Sequence, residues 1–205
     1  DSLGSTMFIT FMIHILWTVG LHGSNIALPF TETILMKLGG ENAALAQAGA
    51  TEGYHVLAGS FLDGFVYLGG SGMILGLIIA LIIAGRRRKE MIVLGGPPSL
   101  FNISEPMIFG LPIVLNPIFM IPFVLAPVVC AAISYLAIDF GLVAPVIMAK
   151  IPWVTPPIIG GFMSNGHWSG AALAAFNLVI SVIIYLPFVA ASEKMDAKRE
   201  KNANM

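Results

Sequence analysis

The sequence has 205 residues, of which 57% are hydrophobic and only 10% are charged, and its mean hydropathy is +0.90. Soluble domains carry about 25% charged residues, so this composition excludes an ordinary soluble domain and indicates a chain embedded in lipid. The formal net charge of −1 excludes a nucleic-acid partner that is recognised through a basic patch.

The first apolar segment, residues 6–21, is just long enough for a tilted or truncated membrane span. Trp17, near its end, suits either an interfacial anchor or a binding site. Residues 32–63 turn polar and small, which predicts a loop or short surface helices. Because the chain begins inside what soon becomes a hydrophobic segment, we expect a fragment whose N-terminal half is missing.

Residues 65–84 form the next uncharged segment and predict a membrane-spanning helix of twenty residues. Four basic residues, 86–89, follow it directly. Positive charges beside a span remain in the cytoplasm, so this end of the span is predicted to be cytoplasmic. Glycines at positions 69, 70 and 72 favour close packing against another helix.

Two long tracts, residues 91–138 and 151–192, resemble each other. Each begins with a half that glycine and proline interrupt, and each continues as a cleaner span, over residues 117–138 and 171–191. Each tract is too long for one crossing, and each first half is too broken for a plain helix. Paired interrupted segments of this kind indicate the binding site of a transporter.

These segments predict an all-α integral membrane fold with about four transmembrane helices and two re-entrant hairpins broken by glycine and proline. Residues 1–192 are expected to form the membrane-embedded domain, and residues 193–205 a polar tail in the cytoplasm. With two re-entrant hairpins, the basic residues 86–89 and the polar tail 193–205 lie on the same side of the membrane. Two full crossings in their place would do the same, so both arrangements stay open.

Glu105 is the only charged residue between positions 91 and 138. An ionised side chain at the bilayer centre costs roughly 2.5–3.5 kcal/mol on insertion scales, so it needs a partner or a ligand. Pro106 and Gly110 break the backbone that follows, and irregular backbone at membrane depth survives only under protein or beside a water-filled cavity. Glu105 therefore predicts a polar-substrate site, although pairing with a cationic side chain is the rival interpretation.

Three further residues are candidates for this site. Asn102 offers both a donor and an acceptor, and it also suits a turn or a helix cap. His22 lies at the broken end of the first span, where an imidazole can exchange hydrogen bonds with a hydroxyl but is more often structural. Trp153 lies in the second interrupted half, where it suits stacking on a sugar face or anchoring at the interface.

No Walker loop, His-Glu-x-x-His motif or pair of cysteines occurs in the sequence. The single cysteine, Cys130, lies in an apolar run and is predicted to be a small buried residue. The sequence therefore predicts no metal and no cofactor. Nothing activates a nucleophile of the chain's own, so any chemistry must borrow its reactive group from a partner.

Residues 102–116 resemble the Asn-Ile-x-Glu-Pro-x-x-Phe-Gly-x-Pro-x-x-x-Asn-Pro signature of the membrane EIIC components of the bacterial phosphotransferase system, in their lactose/cellobiose/diacetylchitobiose class. Residues 17–23 resemble the Trp-x-x-Gly-x-His-Gly motif of that class, and residues 152–161 are similar to its Pro-Trp-x-x-Pro-Pro segment. The three motifs follow the family's order across nearly the whole chain. Ser104 departs from the usual asparagine but leaves Glu105 and Pro106 in place.

The resemblance implies a permease subunit that binds and translocates a disaccharide of the cellobiose, chitobiose or lactose type for phosphorylation. It implies that Glu105 and His22 are catalytic and lie near the hydroxyl that receives phosphate, and that Trp153 contacts the sugar rings. Asn102 and Trp17 complete the predicted substrate-binding set. The phosphoryl group is expected from a cysteine of EIIB, so the chain would be one part of a phosphotransferase complex that also includes EIIA.

The resemblance further implies a multi-pass protein of the bacterial inner membrane, with a cytoplasmic C terminus and a homodimer in the full-length protein. Two alternatives stay open. One is an ion- or proton-coupled secondary transporter of a small polar solute, in which Glu105 carries a proton. The other is a membrane assembly module without transport. The motifs leave the disaccharide open, because stereochemistry is read by hydroxyl contacts that they do not place.

Overall fold

The computed structural model describes residues 1–85 and 88–203, and within these ranges all regular structure is helical. This confirms the all-α prediction. One 3-10 turn, Ser71–Met73, precedes the fourth helix. The α-helices of the described ranges are α1 (Leu3–Thr18), α2 (Gly23–Gln47), α3 (Phe61–Phe65), α4 (Ile74–Ala84), α5 (Lys89–Ser99), α6 (Glu105–Gly110), α7 (Pro117–Asp139), α8 (Pro157–Asn165) and α9 (Trp168–Ala203).

Among the described helices, α7 and α9 have the length and the apolar composition to cross a membrane, and α1 and α4 are apolar but shorter. The helix predicted over residues 117–138 is confirmed as α7. The last predicted span is also helical, but α9 continues without a break through the polar segment to Ala203. The predicted boundary between the embedded domain and the polar tail, at residue 192, is therefore a change of composition within one helix and not the end of the helix.

The prediction for residues 32–63 is wrong over its first half, because α2 is a continuous helix of 25 residues that ends at Gln47. Gly39 and Gly40 suggested a loop. The alanine-rich end of the helix favours helix strongly, and buried Gly39 and Asn42 hold it against the rest of the protein. Tertiary packing thus overrides the local signals of a loop.

The helix predicted over residues 65–84 is regular only from Ile74. Gly69, Gly70 and Gly72 have φ angles of 89°, 90° and 78°, a region in which glycine meets no steric cost. They turn the chain sharply before α4 begins. The Tyr185 hydroxyl on α9 donates a 2.5 Å hydrogen bond to the Gly72 carbonyl and fastens this glycine turn to the core.

The core lies where α1, α4, α7 and α9 pack together, with α3 and α8 against one side of them. Its largest fully buried side chains include Phe61, Phe65, Phe119 and Phe123. Cys130 is buried, as predicted. Both predicted interrupted halves are irregular: α5 and α6 are separated by a turn, and residues 140–156 precede the short helix α8 without any helix of their own.

Arg88 joins the turn between α4 and α5 to two other helices. Its guanidinium donates hydrogen bonds to the Asp196 carboxylate at 2.6 Å and to the Ser192 hydroxyl at 2.7 Å, both on α9. It also lies 5.0 Å from the ring centroid of Phe119 on α7, a cation–π distance. Arg86 and Arg87, which contribute to the predicted orientation, lie outside the described residues.

Gly39 marks a close contact between α2 and two loops. A Cβ atom at this position would lie 2.6 Å from the Cα of Gly59 and 2.8 Å from the Cα of Ala149. We expect Gly39→Ala to lower the thermal unfolding temperature of the purified protein, because an overpacked backbone contact costs about 1–3 kcal/mol.

Gly40→Ala is the matched control for this substitution. A Cβ atom there meets no atom within 4 Å. Alanine also favours helix over glycine by about 1 kcal/mol, so this variant should unfold at the wild-type temperature or slightly above it. Equal unfolding temperatures for the two variants would contradict the close packing of α2.

Candidate substrate-binding site

A cavity of about 400 Å³ lies between α2, the turn before α6 and the loop that contains Lys150 and Trp153. Its wall combines aromatic rings with polar and charged side chains. The structure brings all five predicted site residues to this one cavity, although they come from distant parts of the sequence: Trp17, His22, Asn102, Glu105 and Trp153.

His22 and Glu105 face each other across the cavity wall. His22 is the N-cap of α2, and its Nδ1 accepts a hydrogen bond of 3.2 Å from the backbone N–H of Asn25. In the neutral ring, this use of Nδ1 assigns the proton to Nε2. The Nε2 atom lies 3.6 Å from Oε1 of Glu105, with the two side chains 41% and 44% exposed. The pair therefore presents one N–H donor and one carboxylate acceptor that a ligand can reach.

Trp17 forms the wall behind His22. The two ring centroids are 4.2 Å apart, and the Phe109 ring lies 6.5 Å from Trp17 on another side. Only 2% of Trp17 is exposed, which excludes the interfacial anchor as its role. Its packing limits how the imidazole can tilt and so helps to fix the direction of Nε2.

Asn102 ties together the three segments that meet beside the cavity. Its amide nitrogen donates to the carbonyls of Trp153 and Thr155, at 2.8 and 2.9 Å, and its oxygen accepts from the backbone N–H of Gly69 at 2.9 Å. Both amide protons are therefore used within the protein, and one lone pair of the oxygen remains. Its φ of 61° is one that asparagine tolerates better than most residues. Direct contact of Asn102 with a substrate stays a prediction.

Trp153 differs from Trp17 in its exposure. Its backbone carbonyl is held by Asn102, while the residue is 59% exposed and its side chain lines the cavity. An accessible indole held at its backbone is suited to stacking on the apolar face of a ring. The position favours the predicted contact with a sugar, which itself stays a prediction.

Ser104, the departure from the family signature, is buried next to the glycine turn. A Cβ atom at Gly70 would lie 2.8 Å from the Cβ of Ser104 and 2.5 Å from the carbonyl oxygen of Asn102. Position 70 of the turn therefore has to be glycine, because any side chain there would prevent the segment before Glu105 from packing against the turn. Glu105 begins α6 directly after this contact.

Three charged residues of the cavity wall were missed by sequence reasoning: Glu32, Asp63 and Lys150. The Lys150 ammonium donates a hydrogen bond to the Glu32 carboxylate, and the charge of Asp63 acts on both. The three side chains thus form a second group of charges on the wall of the cavity.

A helical signal for this second group was present in the sequence. Asn25, Leu28, Glu32 and Leu35 follow one another at spacings of three or four residues, and all four line the cavity. Such spacing places residues on one face of a helix. Residues 32–63 were predicted to form a loop or short surface helices. Asn25 and Glu32 were therefore not recognised as residues on one face of a single helix.

Comparison with known proteins agrees with the motifs. A family model described as "Phosphotransferase system, EIIC" matches residues 1–127. The chain is 39% identical to the cellobiose-specific EIIC component of Lactococcus lactis, over 96% of this chain and 44% of that protein. It is 33% identical to the lactose-specific EIICB component of Streptococcus mutans, over 84% of this chain and 31% of that protein.

The fold also matches a solved structure, the crystal structure of the transporter ChbC, the IIC component from the N,N'-diacetylchitobiose-specific phosphotransferase system. The TM-score is 0.91 at 35% identity, over 98% of this chain and 47% of that one. The chain therefore belongs to the EIIC family of the phosphotransferase system, in its cellobiose, lactose and chitobiose class. It spans less than half the length of these curated relatives, 44% of the Lactococcus protein and 31% of the Streptococcus protein.

Proposed function

We propose that this chain is the sugar-binding part of a permease that carries a disaccharide across the bacterial cell membrane for phosphorylation. The observation that carries the proposal is the pair of Glu105 and His22 in the wall of a cavity that Trp17 and Trp153 also line. The names of its relatives, which specify cellobiose, lactose and N,N'-diacetylchitobiose, support a disaccharide as the substrate.

The geometry of the pair suits one sugar hydroxyl. A hydroxyl between the two side chains donates its proton toward the Glu105 carboxylate, while its oxygen accepts from Nε2–H of His22. As the phosphorus–sulfur bond to a cysteine of EIIB breaks, the hydroxyl oxygen forms the new bond to phosphorus. Its proton passes to Glu105, which acts as general base, and the cysteine leaves as a thiolate.

We infer that EIIB is the phosphoryl donor, that EIIA supplies EIIB, and that the full-length protein is a homodimer. Cys130 is buried in the core, so its thiol is not available to carry a phosphoryl group. The relative named EIICB supports an EIIB partner, since its name joins the two components. The chain is thus one part of a phosphotransferase and takes its reactive group from outside.

In the membrane, we propose two re-entrant hairpins and four crossings, which are made by α1, by residues 65–84 that end in α4, by α7 and by α9. Support for the hairpins comes from the broken course of the chain through α5 and α6 and through residues 140–165. Residues 1–192 form the embedded domain, and residues 193–205 lie in the cytoplasm. Glu105 and Trp153 then belong to the two hairpins, which meet at Asn102.

The test is uptake of radiolabelled cellobiose, lactose and diacetylchitobiose into vesicles that contain the intact permease, with phosphorylated EIIB enclosed in the lumen at the cytoplasmic face of the protein. At least one of these sugars should be recovered as its phosphate. Transfer should continue when an uncoupler removes the proton gradient, and unphosphorylated EIIB is the control. Recovery of unmodified sugar, together with loss of uptake on adding the uncoupler, would show a proton-coupled secondary transporter instead.

A further inference from the structure

The cavity has a second polar pair, Glu32 and Lys150, to which the proposed phosphorylation assigns no role. These residues are 29% and 59% exposed at their side chains, so both can be reached from the cavity. Glu32 lies on α2, and Lys150 lies on the loop before α8. Asp63 on α3 adds a second carboxylate whose charge favours the ammonium.

The two pairs are separated along α2, which lines the cavity lengthwise. His22 caps the N-terminus of this helix, and Glu32 follows ten residues later on the face that lines the cavity. At a rise of 1.5 Å per residue, the two positions are about 15 Å apart along the helix axis. This separation of backbone positions exceeds the width of one pyranose ring, and the side chains that extend from both positions into the cavity shorten the gap that a two-ring ligand has to cross. A ring held at Glu105 therefore leaves Glu32 and Lys150 for a different part of the same ligand.

The donors and acceptors of the second pair suit a sugar ring. An ammonium has three N–H donors, and Lys150 gives one to Glu32, which leaves two for hydroxyl oxygens. The Glu32 carboxylate keeps lone pairs that accept from hydroxyl protons. Two hydroxyls on adjacent ring carbons fit this arrangement, one donating to the carboxylate and the other accepting from the ammonium. Hydrogen bonds to charged groups are the stronger kind, so such a contact contributes to selectivity.

We propose that Glu32 and Lys150 form the subsite for the second sugar ring, the ring that is not phosphorylated, and select ligands with adjacent free hydroxyls on it. The inference rests on the proposed function, because it assumes a disaccharide with one ring at Glu105 and His22. It makes the pair a determinant of specificity rather than of phosphoryl transfer.

The experiment compares two ligands in the intact permease. Cellobiose carries hydroxyls on both rings, whereas cyclohexyl β-glucoside replaces the second ring by an apolar ring of similar size. Affinities are measured for the wild type and for Glu32→Gln and Lys150→Met. The wild type should prefer cellobiose by about tenfold or more, and both variants should lose most of this preference while they keep the affinity for cyclohexyl β-glucoside within about twofold.

Lys37→Met is the matched control, because Lys37 lies on α2 and pairs with Glu41 but is 76% exposed and not part of the cavity wall. It should keep the wild-type preference. Each preference is a ratio within one variant, so partial loss of folded protein does not imitate the effect. Equal loss of affinity for both ligands would overturn the subsite and show an ion pair that only joins α2 to the loop. A wild type that binds neither ligand would refute the proposed function itself.

Discussion

Replacing Glu105 with glutamine should lower the rate of sugar phosphorylation by roughly 10²–10⁴-fold, the usual contribution of a general base. Glutamine keeps the shape of the side chain and can still exchange hydrogen bonds with a hydroxyl, but it cannot take the proton that the hydroxyl loses. The rate of transfer from phosphorylated EIIB at saturating sugar measures this step directly. Since the side chain is 44% exposed, the substitution leaves no buried charge and should not prevent insertion or folding.

The matched control is Glu90→Gln. Glu90 is an exposed carboxylate in the first turn of α5, only a short distance along the chain from Glu105, and it is not part of the cavity wall. We expect the wild-type rate for this variant. Undiminished phosphorylation and uptake in Glu105→Gln would refute the role of Glu105 as base.

Replacing Asn102 with aspartate should destabilise the protein and weaken sugar binding together. Aspartate can still accept from Gly69, but it cannot donate to the carbonyls of Trp153 and Thr155. The hydrogen bond to Thr155 is buried, so the loss of its donor costs about 1–3 kcal/mol, and a carboxylate facing two carbonyls adds repulsion. The measurements are the thermal unfolding temperature and the affinity for cellobiose.

Asn116→Asp makes the same chemical change at a position where it should be harmless. Asn116 caps α7 through its side-chain oxygen alone, which accepts from the N–H of Ile118 at 3.1 Å, and aspartate keeps that acceptor. We expect no loss of stability or binding. If the two variants unfold at the same temperature, the three hydrogen bonds of Asn102 do not hold the site together.

The grouping of the predicted site residues around one cavity was predictable because charge is scarce in this sequence. Glu105 is the only charged residue in a long apolar tract, and the motifs around it, around His22 and around Trp153 pointed to one site. The structure places all of them on one cavity. The function of Asn102 was not predictable, since its partners are backbone groups that lie 33 to 53 residues away and leave no pattern in the sequence.

The helices were harder to predict where glycine has a tertiary role. Gly39 suggested a loop in the middle of α2, but it is a contact point against Gly59 and Ala149. Gly69 and Gly72 led to the opposite error, a helix predicted where the chain turns. Their hydropathy fits a membrane span, but their positive φ angles interrupt the helix. In both cases the backbone conformation is set by neighbours that are distant in sequence.

In the proposed membrane arrangement, the contact of Arg88 with Asp196 limits how deep the site can lie. A helix of 36 residues such as α9 is about 54 Å long, whereas the hydrocarbon layer is about 30 Å thick, so the charged end with Asp196 extends beyond it. Arg88 is bound to that end, and so α5 starts at the water boundary. Its 11 residues rise by at most about 16 Å, roughly half the thickness of the layer. A sugar held at Glu105 would then rest midway between the two aqueous compartments, at similar distances from each.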